Sequence, residues 1–176
     1  MTDVDDLRYP IGRFKAPSTT TPQDRVAHIA VLRELPDRLT SAVNGLNDAQ
    51  LDTPYRDGGW TVRQVVHHIA DSHMNSYVRC RLALTEYEPT IKPYDEAAWA
   101  MLPDNRMPVE VSLALTRALH QRWVILFESL GDKDFQKKFL HPERGPQDLE
   151  TTVALYAWHS RHHTAHIISL RTRMGW

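Results

Sequence analysis

The sequence predicts an all-α protein, a four-helix bundle with one long crossover connection. Four long stretches place apolar side chains at three- and four-residue steps, the period of a helix with one buried face. No segment shows the two-residue alternation of a half-buried strand. Residues 86–108 hold Pro89, Pro93, Pro103 and Pro108, which rules out a continuous helix and marks a long connection.

Residues 1–21 read as an extended lead-in, because Pro10, Gly12, Pro17 and the Ser/Thr run at 18–21 offer no helical period. Pro22 stands where a first helical turn tolerates proline. The first helix runs from there to about 43, with Val26, Ile29, Leu32, Leu35 and Leu39 as its stripe. Pro36 inside that stripe predicts a kink or break, and Asn44-Gly45 is a stop. Residues 47–51 form a short helical turn ahead of the irregular loop TPYRDGGW. Thr61 and Gln64 have capping-box spacing, so the second helix starts there and reaches about 85. Val62, Val65, Val66, Ile69, His73, Ser76 and Cys80 lie near one of its faces. The crossover 86–108 carries one helical piece at 95–101. The third helix spans 109–130, stopped by Gly131, with Val111, Leu115, Leu119, Trp123, Leu126 and Leu130 as its stripe. Phe135 and Phe139 lead into a loop, HPERGPQD, and the last helix covers 149–174. The whole chain, 1–176, reads as a single domain.

Composition narrows the function. A formal net charge of −1 lacks the basic excess that phosphate neutralisation demands, which argues against a nucleic-acid partner. No run approaches the length of apolar sequence that crosses a membrane, and the start MTDVDDLRYP has no apolar core of a signal peptide. One cysteine, Cys80, precludes an intramolecular disulfide and suits a reducing compartment. A cytoplasmic enzyme acting on a small molecule is the expectation. The unusual feature is ten histidines in 176 residues.

Four of them fall in WHSRHHTAHI on the last helix, at 159, 162, 163 and 166. The inward seam of that helix is Leu149, Val153, Tyr156, Ser160, His163, Ile167, Leu170 and Met174. At about 100° per residue, His159 lies about 40° from His163, His166 about 60° and His162 about 100°. His159 and His163 are therefore the pair facing the core, with His166 as a neighbour. The second helix carries VVHHIADSHMNS. There His67 points nearly opposite Ile69, His68 flanks the apolar face and His73 lies within it, so His68 or His73 is the third ligand candidate. Three neutral imidazoles with an open position suit a catalytic zinc-type site, and imidazoles also suit nickel, iron and copper. One divalent metal ion per chain is expected, zinc before nickel. A bundle of this size needs no structural metal to fold.

Long segments carry a family resemblance: YPIG, then LDTPYRDGGWTVRQVVHHIADSHMNSYVR, then KPYDEAAWA, LHQRW, His141-Pro142 and LYAWHSRHHTAHIISLRTRMGW. In these the chain resembles the DinB/YfiT-like metal-dependent family, and within it the YfiT branch. The resemblance implies a four-helix bundle of unusual topology that binds one divalent ion through three histidines near one end. It implies His68, eight residues after Trp60 of the Trp60-Thr61 helix start, as one ligand, and so favours His68 over His73. It implies His159 and His163, the outer pair of a His-x-x-His-His motif followed by Arg171, as the other two. His166 stands where many relatives carry glutamine. A metal-dependent hydrolase is implied, with a bacillithiol- or mycothiol-type S-transferase as the alternative, and a homodimer as the assembly.

Other groups have weaker claims. Asp71 follows the histidines of the second helix and points away from its inner face, as a solvated charge would. Asp95 and Glu96 approach as candidate general bases or serve only as a helix cap. Arg56 and Asp57 order a substrate or pair with each other, and Cys80 reads as a small core residue. Trp60, Trp99, Trp123 and Trp158 read as core or cavity lining. No catalytic residue is assigned beyond the metal ligands. A third reading, a non-catalytic metal- or ligand-binding module, predicts a closed site without an accessible pocket.

Overall fold

The computed structural model describes residues 4–176, so the reading of residues 1–3 lies outside the described residues. A short helix α1 (Val4–Arg8) precedes α2 (Pro22–Val43), the turn α3 (Asp48–Leu51) and α4 (Val62–Thr85). The crossover holds α5 (Glu96–Trp99) and a 3-10 turn (Pro103–Arg106). After it come α6 (Val109–Glu128), α7 (Asp132–Phe135), the strands β1 (Lys138–His141) and β2 (Gly145–Asp148), and α8 (Leu149–Met174).

The caps explain the boundaries. Thr21 accepts from the Asp24 amide while the Asp24 carboxylate accepts from the Thr21 amide, and Thr61 and Gln64 repeat this at the start of α4. Asp148 accepts from the Thr151 amide to open α8, and Gly175, at φ 71°, closes it in the left-handed region that favours glycine. The four long helices form a bundle. Helix α2 packs on α6 and α8, and α4 packs on the same two. Consecutive helices α2 and α4 thus face each other across the diagonal, as do α6 and α8. In an up-and-down bundle consecutive helices are neighbours; here only α4 and α6, joined by the crossover, are. Among the described residues no helix is long and apolar enough to cross a membrane.

The core has two apolar clusters. One gathers Leu32, Tyr77, Trp123, Phe127, Phe135, Leu149 and Tyr156; the other gathers Leu35, Leu39, Val66, Ile69, Ile167 and Leu170. Between them along α4, α6 and α8 lie buried polar side chains: His73, Thr116, Ser160 and His163. On α2 the change of cluster falls between Leu32 and Leu35, just before Pro36.

Five expectations are corrected. The lead-in is not wholly extended, since α1 interrupts it. HPERGPQD is no simple loop: β1 and β2 pair antiparallel from Lys138↔Asp148 to His141↔Gly145. Four-residue strands are too short to show alternation. They are held instead by the crossover, where the Ile91 amide donates to the Leu140 carbonyl and the Leu140 amide to that of Pro89. Helix α2 continues through Pro36 without the break, the stronger of the two expectations there. Val26 is exposed rather than part of the stripe. On α6 the buried face is Val109, Ser112, Thr116, Leu119, Trp123 and Phe127, so Val111 and Leu115 are exposed. That stripe was displaced because small polar residues occupy the upper half of the inner face. Phe127→Ala should lower the unfolding free energy by about 3–5 kcal/mol in urea titration, since its ring is 1% exposed and stacks on Trp123 and Phe135.

Candidate metal centre

Packing of α4 against α8 converges three imidazoles. His68 comes from the second turn of α4, fixed by the Thr61 cap; His159 and His163 come from one face of α8 at i, i+4. Their candidate ligand atoms all lie within 4.8 Å of one another. His68 Nε2 and His159 Nε2 are 3.3 Å apart. Two imidazole nitrogens on one tetrahedral ion, each about 2.0–2.1 Å from it, lie about 3.4 Å apart. Burial pushes His68 down to about 4, with a further push from His166. Burial and the neighbouring imidazoles hold His159 and His163 well below the ordinary histidine range. At neutral pH all three rings are uncharged and keep a lone pair, the form a metal requires. The donor set fits one divalent ion.

The cluster opens onto a cavity of about 650 Å³. Trp60 covers one side, its ring 4.5 Å from that of His68. The crossover supplies Tyr94, Asp95 and Glu96; α4 supplies Arg79; the β1–β2 hairpin supplies His141, Glu143 and Arg144. Asp95 caps α5 by accepting from the Ala98 amide, and it also lines the cavity. Burial holds the Tyr94 hydroxyl above the ordinary tyrosine range, so it is protonated, and the oxygen itself is buried behind the cavity lining. Ser72 and Tyr156 line the floor and lie 3.3 Å apart, oxygen to oxygen.

Behind the cluster stand two further histidines. His73 Nε2 lies 3.0 Å from His159 Nδ1, and His73 Nδ1 lies 2.8 Å from His120 Nε2. His120 Nδ1 donates to the Leu32 carbonyl at 2.6 Å. His73 is fully buried and one hydrogen bond removed from the cluster.

The remaining candidates fall elsewhere. His67 was expected to point outward but is buried, because the crossover and α6 cover that side of α4: Ser112 Oγ lies 2.7 Å from its Nδ1 and the Met107 carbonyl 3.1 Å from its Nε2. His162 is buried between Trp158, 4.3 Å away, and Tyr9. His166 stacks on Tyr55 and donates to the Arg8 carbonyl, tying the N-terminal segment to α8. With His162 and His163 it forms a second buried trio. Asp71 is half-buried, and desolvation raises it to about 6. Arg56 donates to the Asp57 carbonyl rather than to its carboxylate. Cys80 is buried, its thiol pushed up to about 12 by burial, so it is no nucleophile at neutral pH. Sequence reasoning missed His120, Tyr9 and the hairpin residues. His120 was detectable, because it lies at i+4 from Thr116 and i−3 from Trp123 once the correct face of α6 is drawn.

Comparison with known proteins shows the family and the fold. Residues 31–167 match the DinB superfamily. A relative from Bacillus cereus (strain 03BB102), named "Putative metal-dependent hydrolase", is 56% identical over 173 residues, which cover 98% of this chain and 100% of the relative. A relative from Bacillus thuringiensis subsp. konkukian (strain 97-27), under a similar name, matches to the same extent. YfiT from Bacillus subtilis, described as "a probable metal-dependent hydrolase with an unusual four-helix bundle topology", superimposes with a TM-score of 0.95 at 51% identity, covering 97% of this chain and 99% of that one. The four-helix bundle protein TT2238 shares the fold, with a TM-score of 0.55 at 19% identity over 86% of this chain and 99% of that one. The chain belongs to the DinB superfamily, and its fold is the four-helix bundle.

Burial lowers His120 to about 4, against the upward pull of its bond to the Leu32 carbonyl. A histidine depressed in the folded state takes up its proton more readily when the chain unfolds. The metal-free protein should therefore lose stability as pH falls from about 6.5 towards 4, seen as a falling urea midpoint.

Proposed function

We propose that this protein is a metal-dependent hydrolase of small molecules, using one divalent ion, zinc by preference, held by His68, His159 and His163. The observation that carries this is the convergence of three uncharged imidazoles at the wall of an open cavity. A closed site, which a binding module would have, does not match that opening. Bound there, a divalent ion supplies Lewis acidity, which produces a nucleophile from water at neutral pH and polarises the bond under attack. The chain's own residues do the rest. Glu143, Asp95 and Glu96 are carboxylates on the cavity wall, able to accept a proton from an incoming nucleophile. Trp60 and Trp158 line the same cavity and shield the site from bulk water.

A second reading has its own support. Arg79 and Arg144 line the same cavity and offer cationic anchors for an anionic low-molecular-weight thiol. In that reading the protein is an S-transferase, and an ion held by His68, His159 and His163 would lower the basicity of the thiol rather than of water.

The zinc-loaded protein should be tested on ester and amide panels beside thiol consumption against electrophiles. Turnover of esters or amides without added thiol supports hydrolysis; strict dependence on thiol supports transfer; no turnover in either panel excludes both for those substrates. His163→Ala and His159→Ala should each lose the metal by elemental analysis, and full retention would show that the ligand set is wrong. Glu143→Gln should lower kcat for hydrolysis by about 10²–10⁴-fold if it is the base, with metal content unchanged.

A further inference from the structure

The long helices each contribute one member to a continuous hydrogen-bonded chain. It runs from the Leu32 carbonyl on α2 to His120 on α6, His73 on α4 and His159 on α8, with steps of 2.6, 2.8 and 3.0 Å. Its starting point is set by a proline. In an α-helix the amide of residue 36 would donate to the carbonyl of residue 32. Pro36 has no amide hydrogen, so that bond is missing and the Leu32 oxygen is left without its helical partner. Such an oxygen, buried in the core, needs a donor from elsewhere, and His120 Nδ1 provides it.

The polarity of the chain then follows from proton counting. A carbonyl only accepts, so His120 carries its hydrogen on Nδ1 and, as a neutral ring, presents a lone pair at Nε2. His73 must fill that acceptor with Nδ1–H, which leaves its own Nε2 bare. His159 must in turn donate from Nδ1. Its Nε2 is thereby left with a lone pair, and that nitrogen faces His68 Nε2 at 3.3 Å. Each ring is held in the Nδ1–H form, the minor tautomer of imidazole side chains in water. No link can be reversed without setting two hydrogens, or two lone pairs, against each other.

We propose that His120 and His73 are positioning residues for the metal centre: anchored by the carbonyl that Pro36 frees, they fix the tautomer and ring angle of His159 so that its Nε2 presents a lone pair to the ion. The proposal rests on the reading of His68, His159 and His163 as the ligand set. It extends the familiar arrangement in which a metal-bound histidine donates its other nitrogen to a carboxylate or carbonyl. Here that carbonyl is two imidazoles away, on a different helix.

Two measurements test it. In metal-free protein labelled with ¹⁵N-histidine, long-range proton–nitrogen spectra should show Nδ1–H tautomers for His120, His73 and His159. An Nε2–H tautomer at any of the three would overturn the chain. Zinc affinity, by competition with a chromogenic chelator, should fall about 10- to 100-fold in His120→Leu. His120→Gln should remain within about threefold of the wild type, because its amide both donates and accepts. Undiminished affinity in a folded His120→Leu would overturn the proposal, as would failure of a folded His120→Gln to restore it. If His120→Leu does not fold, the tautomer spectrum of the wild type decides alone. If the wild type binds no zinc, the ligand set fails, and the spectrum still judges the chain independently.

Discussion

An imidazole taken out of water must find partners for its two nitrogens or lose the free energy of their hydration. This bundle buries most of its histidines, and that requirement organises the run of partners from Leu32 through His120 and His73 to His159. The apolar clusters end where the rings begin, on α4 and α8 as much as on α6. The low basicity of His68, His73, His120 and His159 follows from the same burial, and neutrality is what makes them usable as donors of lone pairs. A proline in a helix is ordinarily a defect. In α2 it makes a buried acceptor, and the fold supplies the matching donor.

The cavity shows why ligands alone do not define a reaction. Its lining includes carboxylates from the hairpin and crossover and arginines from the hairpin and α4. These two sets suit different nucleophiles. The ion's role in activation is common to both readings, so the choice lies with side chains of the hairpin, the crossover and the C-terminal half of α4.

Much of this was legible in the sequence. Pro22, Asn44-Gly45 and the Thr61–Gln64 box mark helix ends by local chemistry alone, and those boundaries agree with the structure. The inward seam of α8 is regular enough to single out His159 and His163 by angle. His68 was different: geometry left it level with His73, and only the resemblance separated them. The structure gives a reason for that tie. Both rings point inward from α4, one into the cluster of three and the other onto the back of His159. What stayed hidden depends on contacts far apart in the chain. His67 and His162 are buried by segments some forty and one hundred and fifty residues away, Met107 and Tyr9. The hairpin is held by Pro89 and Ile91, which no local pattern connects to Leu140.

The chain of imidazoles has a mechanical consequence as well. Apolar side chains in a bundle tolerate exchange of one greasy neighbour for the next, so a helix held only by such contacts can slip along its axis by a turn, about 5.4 Å, at small cost. Here a slip of any one long helix would pull its member out of the relay, breaking one link for α2 or α8 and two for α4 or α6 and leaving the buried polar atoms of each facing nothing. Leu32, His120, His73 and His159 thus act as a transverse bolt through all four helices, setting their relative heights before any ion arrives.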